Sequence, residues 1–360
     1  MIYKGRKGRY KLKDKSLAQG GEGAVYEIEN CPSSVAKIYH ADKIQACGAT
    51  LERKLKAMKS VPINPIVDGK LKVAWPQDML YDGDRFVGFV MPKLATTHKI
   101  YHIQQDEEHR YKMFPDYTWK YAVQYAYNLS WVVYYLHLNN IIIGDMNMNN
   151  IAIDKLGNIT LIDCDSFDIT DPVTREHFKC EVGMPELLAP EIQGCNRIVD
   201  ATFTKEADDF SLGIHIFRLL MMNADPFCAK LVGYNVDSVT CFNSNLNILN
   251  GESPYFRKLS NKVVPEWAPP IDILPPDIID AFRNTFYYTQ TTSIAAKKRR
   301  TTAEQWNSLL LKYAQAEPNP NLKSCSNHHV YYAQRPTCPF CEMNDRKKSS
   351  VKKSRLFGLL

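Results

Sequence analysis

Three polar side chains in the middle of the chain have the types and the spacing that phosphoryl transfer from a metal-bound nucleotide requires. Asp145 lies five residues before Asn150, and Asp163 follows the next hydrophobic run. In such a reaction one carboxylate orients the attacking hydroxyl, while an amide oxygen and a second carboxylate hold magnesium against the phosphates. The three side chains are therefore the first candidates for a catalytic site.

The residues around this set predict how it is presented. Two short β-prone runs, 151–153 and 159–162, flank turn-forming residues at 154–158. A hairpin would carry Asn150 at its entry and Asp163 at its exit, on the same side. The alternative is that the Asp and Asn residues serve only as turn formers, a role that suits their side chains equally well.

Further elements with related chemistry occur upstream and downstream. Gly20, Gly21 and Gly23 lie between two β-prone runs, where glycines let backbone amides approach phosphate oxygens closely. Lys37 follows small and branched residues on a predicted strand, from which it would reach the α- and β-phosphates. Three segments follow in order after the hairpin: Ala189-Pro190-Glu191, Asp208-Asp209-Phe210-Ser211-Leu212-Gly213, and Arg300-Thr301-Thr302-Ala303-Glu304.

The order and spacing of these elements resemble the eukaryotic-type protein kinase fold over roughly residues 10–315. The Ala-Pro-Glu segment and the Asp-x-x-Ser-Leu-Gly segment distinguish protein kinases from small-molecule phosphotransferases. The stretches 74–76, 88–92 and 163–167 are similar to a bacterial Ser/Thr kinase family. Its members often occur beside a PP2C-like phosphatase and a von Willebrand A-type protein, which are the expected partners. The implied fold is α+β and two-lobed, with a small β-rich N-lobe and a larger helical C-lobe.

The resemblance implies a role for each candidate residue. Asp145 would be the catalytic base, and Asn150 with Asp163 would bind Mg²⁺, or Mn²⁺ in its place. Lys37 would contact the phosphates of ATP and pair with Glu52 on a following helix. The rest of the nucleotide site would comprise Gly20, Gly21, Gly23, Val25, Ala36, Met91 and Leu94. Asp208 would brace the catalytic loop, and Glu191 would pair with Arg300.

The chain departs from the resembling family in four places. Ala18 replaces the first glycine of the nucleotide loop. Gly144 replaces the arginine that clamps a phosphorylated activation loop, so activity should not depend on a phosphate there. Asn147 replaces a lysine that touches the γ-phosphate, so chemistry should slow unless another cation substitutes. The Asp-Phe-Gly triplet is Asp163-Cys164-Asp165, which adds a carboxylate. We therefore keep three hypotheses: an active Ser/Thr protein kinase, a nucleotide-binding pseudokinase scaffold, and a small-molecule phosphotransferase.

A second pattern near the C-terminus predicts a structural zinc site. Cys338 and Cys341 form a C-x2-C knuckle, preceded by Cys325 and a pair of histidines. This is ligand spacing for tetrahedral Zn²⁺. We prefer His329 to His328 as the fourth ligand. The alternative is that the clustered cysteines are incidental thiols.

Composition favours a large globular protein, with 45% hydrophobic and 23% charged residues. We divide the chain into an N-lobe and hinge at 1–94, a C-lobe at 95–316, a linker and zinc knuckle at 317–345, and a basic tail at 346–360. The tail could attract an acidic surface or remain solvated. No apolar run predicts a transmembrane helix or a leader peptide, and the ten cysteines would stay reduced, so we expect a cytoplasmic location.

Overall fold

The computed structural model describes residues 1–96, 98–104, 107–115, 117–233, 244–316 and 318–346. The basic tail beyond residue 346, for which binding to an acidic surface and a solvated state were both left open, lies outside the described residues. Among the helices of the described part, none combines the length and the apolar character that crossing a bilayer requires.

The N-terminal lobe is a closed antiparallel barrel with one long helix against it. Strand β2 alternates over residues 9–13, where Tyr10 and Leu12 are buried between exposed charged residues, whereas β4 and β8 are buried over most of their length. Helix α1 packs Leu55 and Met58 into the core. The elements are β1 (Ile2–Gly5), β2 (Gly8–Gln19), β3 (Gly23–Ile28), β4 (Ser34–Tyr39), α1 (Ala41–Ser60), β5 (Ile66–Val67), β6 (Lys70–Leu71), β7 (Asp78–Asp82) and β8 (Arg85–Pro92), with barrel order β1-β2-β3-β4-β8-β7.

The C-terminal lobe is built mainly of helices around a shared apolar core. Its helices are α2 (Glu107–Met113), α3 (Trp119–Leu138), α4 (Pro190–Gln193), α5 (Lys205–Leu220), α6 (Ser244–Asn250), α7 (Pro276–Phe286), α8 (Ser293–Lys297) and α9 (Ala303–Ala314). Helix α3 buries the apolar face that its sequence predicted, including Leu129 and Val133. Helix α5 is buried on all sides, as its apolar composition requires. The predicted α+β, two-lobed architecture is confirmed.

Short two-stranded sheets connect the helices of this lobe. They are β9 (Ile151–Ile153) with β10 (Ile159–Leu161), β11 (Ile169–Thr170) with β12 (His177–Phe178), β13 (Lys230–Leu231) with β14 (Lys262–Val263), and β15 (Leu322–Ser324) with β16 (Val330–Tyr332). The β9–β10 pair is the predicted hairpin, with Thr160 opposite Ala152. One expectation does not hold: Cys228 is disulfide-bonded and not a free thiol.

Candidate active site

The loop that carries Asp145 is fixed from behind by a buried carboxylate at the start of α5. Asp208 accepts hydrogen bonds from the backbone N–H groups of Ile143 at 2.8 Å and Gly144 at 2.9 Å. The ring Nε2 of His137, on α3, lies 3.0 Å from the same carboxylate. Asp208 therefore braces the loop, in the role that the resemblance implied.

The backbone of Gly144 explains why no arginine stands at this position. Its φ is +72°, which L-residues rarely adopt. A Cβ atom there would lie 2.5 Å from the sulfur of Cys180, which belongs to the segment after β12. A larger residue would therefore displace that segment from the loop.

Asp145 is half-buried, and its two carboxylate oxygens differ in their contacts. Its Oδ2 receives a 3.4 Å contact from the Asn150 amide, whereas the buried Oδ1 has no hydrogen-bond partner among the described residues. Burial, together with the charge of Asp163, raises the pKa of Asp145 to about 6. A carboxylate oxygen free to accept a proton in a partly desolvated site suits a general base.

Asp163 has a left-handed backbone conformation, with φ +58°. Such a backbone is costly for a non-glycine residue and occurs often at functional sites. The residue lies directly after the β9–β10 hairpin, and its side chain lines the same cleft as Asn150. One carboxylate and one amide oxygen form a donor set that suits Mg²⁺ or Mn²⁺.

Lys37 is held by two carboxylates that follow one another closely in the chain. Its ammonium lies 2.5 Å from Asp163 Oδ1 and 2.8 Å from Asp165 Oδ2, and Tyr39 donates a 2.6 Å hydrogen bond to Asp165. Burial opposes the charge of Lys37, but the two carboxylates outweigh it and raise the pKa of the ammonium. Burial alone would raise the pKa of Asp165, but the charge of Lys37 outweighs it and the pKa is lowered.

The predicted pairing of Lys37 with Glu52 is wrong. Glu52 Oε1 instead accepts hydrogen bonds from Lys56 Nζ at 2.5 Å and from the Tyr81 hydroxyl at 2.7 Å. The carboxylate that replaces it is Asp165. The sequence contained a signal for this exchange. Asp165 is the extra acid in the triplet Asp163-Cys164-Asp165, and the resemblance gave it no role.

The glycine-rich stretch joins β2 to β3 above the cleft. Gly23 packs so closely on β4 that a Cβ atom would lie 2.3 Å from the Ile38 carbonyl oxygen. Around Gly21, by contrast, no atom lies within 4 Å of a Cβ position, so its backbone borders open space. Lys43, on α1, ties the loop down through a 2.6 Å ion pair with Glu22. The loop is therefore held by the packing of Gly23 on β4 and by the ion pair of Glu22 with Lys43, while its backbone at Gly21 borders open space.

These elements enclose a cleft of about 620 Å³ between the lobes, a volume typical of ligand sites, which span roughly 300–1,000 Å³. The predicted residues that line it are Gly20, Gly21, Gly23, Val25, Lys37, Met91, Leu94, Asn150 and Asp163. Ala36 does not, because side chains alternate along β4 and Ala36 packs into the barrel core. Val35 lines the cleft in its place. Sequence reasoning also missed Ala74, Lys99 and Ile162.

Lys99 is the most informative of the missed residues. It follows the connection between the lobes, pairs with Ala152 through an isolated β-bridge, and lines the cleft beside Asn150 and Asp163. Burial lowers the pKa of its ammonium, against the opposing effect of the Asp163 charge. Within the described part of the chain, Lys99 forms no ion pair of its own.

The segment after Asp165 is ordered by contacts of its own. Asp168 lies 2.7 Å from the ring Nε2 of His177 and accepts the backbone N–H of Cys180 at 3.2 Å, which closes the β11–β12 hairpin. Glu176, on this hairpin, contacts Arg53 of α1 at 3.1 Å. The hairpin is therefore tied to both lobes without a phosphate.

An ion pair deep in the C-lobe fixes the far end of this segment. The two guanidinium Nη atoms of Arg300 donate 2.7 Å hydrogen bonds to the two carboxylate oxygens of Glu191, at the start of α4. Arg300 is almost fully buried. The pairing that the resemblance implied is present.

The cysteine and histidine residues near the C-terminus converge into one cluster. Their ligand atoms, from Cys325, His329, Cys338 and Cys341, all lie within 4.8 Å of one another. His329 Nδ1 is 3.5, 3.6 and 3.4 Å from the three sulfurs, and Cys325 Sγ is 3.8 Å from Cys341 Sγ. Sulfur and nitrogen ligands of a tetrahedral zinc ion lie about 3.5–3.8 Å apart. The donor set and its spacing fit Zn²⁺. The histidine in the cluster is His329 and not His328, as we preferred.

Comparison with known proteins gives matches over most of the chain. A family model described as "Protein kinase domain" matches residues 13–264. The chain is similar to "Protein kinase YegI" of Escherichia coli K12, at 29% identity over 350 residues that cover 92% of this chain and 48% of that protein. The protein of the same name from Escherichia coli O157:H7 is 28% identical, with 92% and 49% covered. The chain thus spans about half the length of these curated relatives.

The family model covers well over half of the chain, and the cleft and the braced catalytic loop have the arrangement that such a domain implies. We conclude that the chain belongs to the protein kinase family.

Proposed function

We propose that this chain transfers the γ-phosphoryl group of ATP, in the presence of Mg²⁺, to a serine or threonine hydroxyl of a protein. The observation that carries the proposal is the unpaired, buried Oδ1 of Asp145 beside Asn150. An acceptor hydroxyl there would donate its hydrogen to a carboxylate. Asn150 and Asp163 would hold the metal ion, which supplies charge neutralisation at the phosphates when bound.

Two lysines of the chain face the phosphate end of the cleft in this proposal. Lys37, in the N-lobe, is fixed by Asp163 and Asp165. Lys99, in the C-lobe, lies close enough to Asp163 to be affected by its charge but forms no ion pair among the described residues. We assign to Lys99 the positive charge that Asn147 cannot supply. Because Lys99 is partly desolvated, its attraction to a phosphate is stronger than that of a solvated surface lysine.

The second candidate function is a nucleotide-binding pseudokinase that acts as a scaffold. The observation in its favour is Asn147, which carries no charge at the position where the resembling kinases have a lysine. A small-molecule phosphotransferase is disfavoured by the buried pair of Glu191 and Arg300, which that class does not need. The PP2C-like phosphatase and von Willebrand A-type partners are proposed from resemblance alone.

Phosphoryl transfer to a generic protein acceptor, measured with labelled ATP and Mg²⁺, tests the main proposal. Asp145→Asn should lower transfer about 10³-fold or more, because the general base is lost, and should leave ATP binding nearly unchanged. Asp163→Ala should weaken binding of the magnesium nucleotide as well. Wild-type protein that binds ATP yet transfers nothing would favour the pseudokinase instead.

We further propose that Cys325, His329, Cys338 and Cys341 bind one structural Zn²⁺ ion. The support is a donor set of three sulfurs and one nitrogen at the spacing of a tetrahedral site. With four protein ligands, no coordination position remains for a substrate. The zinc ion would therefore stabilise the segment that carries it and not take part in catalysis.

A further inference from the structure

A second cavity, of about 240 Å³, lies between the C-lobe and the segment that carries the Cys/His cluster. One wall comes from α2, the start of α3 and the end of α5, and the other from residues 327–330 and Phe340. None of its lining residues belongs to the nucleotide cleft. We propose that this cavity binds a small organic anion, with a phosphate or carboxylate group on an aromatic or apolar body.

The charged group of this cavity is Arg110, on α2. The residue is only 4% exposed, and its Nε has no hydrogen-bond partner in the described part of the chain. Its guanidinium lies 5.6 Å from the ring centre of Tyr111 and 5.2 Å from that of Tyr117, and no described carboxylate pairs with it. Two aromatic rings thus stabilise a buried cation whose Nε–H has no partner among the described residues, although buried charges are ordinarily paired.

The other lining side chains agree with an anionic ligand. The described residues of the lining include no Asp or Glu, while Thr118, Asn327 and His328 add hydrogen-bond donors. An arginine fork binds a phosphate or carboxylate through two parallel hydrogen bonds. The anion would supply a counter-charge that no described residue provides to Arg110.

The remaining surface of the cavity is apolar, and its size limits the ligand. Trp119, Leu219, Met222, Val330 and Phe340 line it. The volume equals that of about eight water molecules, which is enough for a substituted aromatic ring and too little for a nucleotide. A ligand here would contact the C-lobe and the Cys/His segment together, and would stabilise their packing.

Isothermal titration of the full chain with phenyl phosphate, and separately with benzoate, tests the proposal. We expect saturable binding of at least one probe, unchanged when the nucleotide cleft is occupied by ATP and Mg²⁺. Arg110→Met should weaken binding about tenfold or more, as expected for the loss of a charge-assisted hydrogen bond. Arg283→Met, which removes an exposed arginine from α7, is the matched control and should bind like wild type.

Arg110→Lys covers the case in which Arg110→Met does not fold, because it keeps the charge and loses the planar fork. It should retain folding and bind the probe more weakly than wild type. No saturable binding of either probe, equal affinity in the Arg110 variants, or complete competition by ATP would each overturn the proposal. These readouts require no kinase activity, so they separate this proposal from the proposed function.

Discussion

At the scale of single residues, the carboxylates of the candidate active site differ in whether a lysine neutralises them. Asp163 and Asp165 share Lys37, whereas Asp145 has no cationic partner among the described residues. Burial and the charge of Asp163 raise the pKa of Asp145 to about 6. One carboxylate pair is thus committed to holding a lysine in the cleft. The other carboxylate remains available as a proton acceptor.

Replacement of Lys99 tests its assignment to the phosphates. Lys99→Met should weaken ATP binding about tenfold, as the loss of one partly desolvated charge contact would, and should leave adenosine binding unchanged. Both dissociation constants can be measured by titration calorimetry. Adding Asn147→Lys to this variant should restore the affinity for ATP, because it returns a cation at the position where the resembling kinases carry a lysine.

Lys93→Met is the matched control, since Lys93 also lines the cleft but is paired with Glu27 at 2.5 Å. It should bind ATP like wild type. If Lys99→Met weakened adenosine and ATP binding equally, its role would be packing of the cleft wall and not charge.

Some site residues were predictable from sequence and others were not, for physical reasons. The proximity of Asn150 and Asp163 was predictable, because any fold that forms the β9–β10 hairpin brings its two ends together. The distinction between Ala36 and Val35, by contrast, depends on which face of β4 meets the cleft, and a one-residue error changes the face. Lys99 was missed because its connection to the cleft arises only from tertiary packing.

At the scale of elements, we infer that the contacts of the β11–β12 hairpin, and not a phosphate, order the segment after Asp165. The double variant Thr170→Ala and Thr174→Ala should keep activity within about twofold of wild type, as exposed substitutions do. The measurement is the initial rate of phosphoryl transfer. Asp168→Ala is the contrasting variant: it removes the contacts to His177 and to Cys180 N, and should lower the rate.

A collapse of activity in the double threonine variant, with Asp168→Ala unaffected, would contradict this. It would mean that a modification orders the segment and that the hairpin contacts do not.

The start of α5 contains a second buried acid, Asp209, whose ionisation should make stability depend on pH. Burial raises the pKa of Asp209 to about 7, partly offset by His137 and by the N–H of Ala303, while Asp208 and Glu206 add to the increase. The unfolded chain releases this proton near pH 4. Between about pH 4 and 7 the folded state therefore binds more protons, and stability falls as pH rises.

Asp209→Asn should remove this dependence, because its amide oxygen still accepts the 2.8 Å hydrogen bond from Ala303 N. Relative to wild type, the variant should gain stability from pH 4 to pH 7, by up to a few kcal/mol, with a constant difference above. Denaturant unfolding at pH 5, 6 and 8 measures it. A difference that is the same at all three values would rule out ionisation of Asp209 as the cause.

The helices were predicted in position better than in extent. Apolar residues at helical spacing from Trp119 to Leu138 predict a helix over those residues, and α3 has these bounds. The apolar run over 208–220 predicts a second helix that starts at Asp208. Helix α5 instead begins at Lys205, because Thr204 caps it through a contact to Ala207 N at 3.4 Å. The capping residue, and not the apolar pattern, determines where this helix begins.

At the scale of the whole molecule, the zinc proposal concerns a unit attached to the C-lobe. Purified protein should carry about one zinc ion per chain if the site is structural and tetrahedral. Cys338→Ser with Cys341→Ser should abolish the zinc content and lower the thermal stability of the C-terminal segment, with ATP binding retained. Cys31→Ser with Cys47→Ser removes two thiols outside the cluster and should keep the zinc. Elemental analysis of freshly prepared, chelator-free protein that finds no zinc would return the cysteines to incidental thiols.

The two-lobed fold was predictable because motifs in a fixed order constrain topology strongly. The cavity at Arg110 was not, since its walls come from segments about 200 residues apart that no pattern relates. The domain boundaries, the cytoplasmic location and the partners stay predictions.

The anchoring of Lys37 has a consequence for how such a kinase could be switched off. Its two carboxylates belong to the three-residue stretch 163–165, and α1 supplies neither of them. A partner or inhibitor that pushed α1 outward would break no ion pair to this lysine. Displacing 163–165, by contrast, would remove the proposed metal ligand Asp163 and the carboxylates that anchor Lys37 together. Inhibitors of this protein are therefore best sought among compounds that act on that stretch.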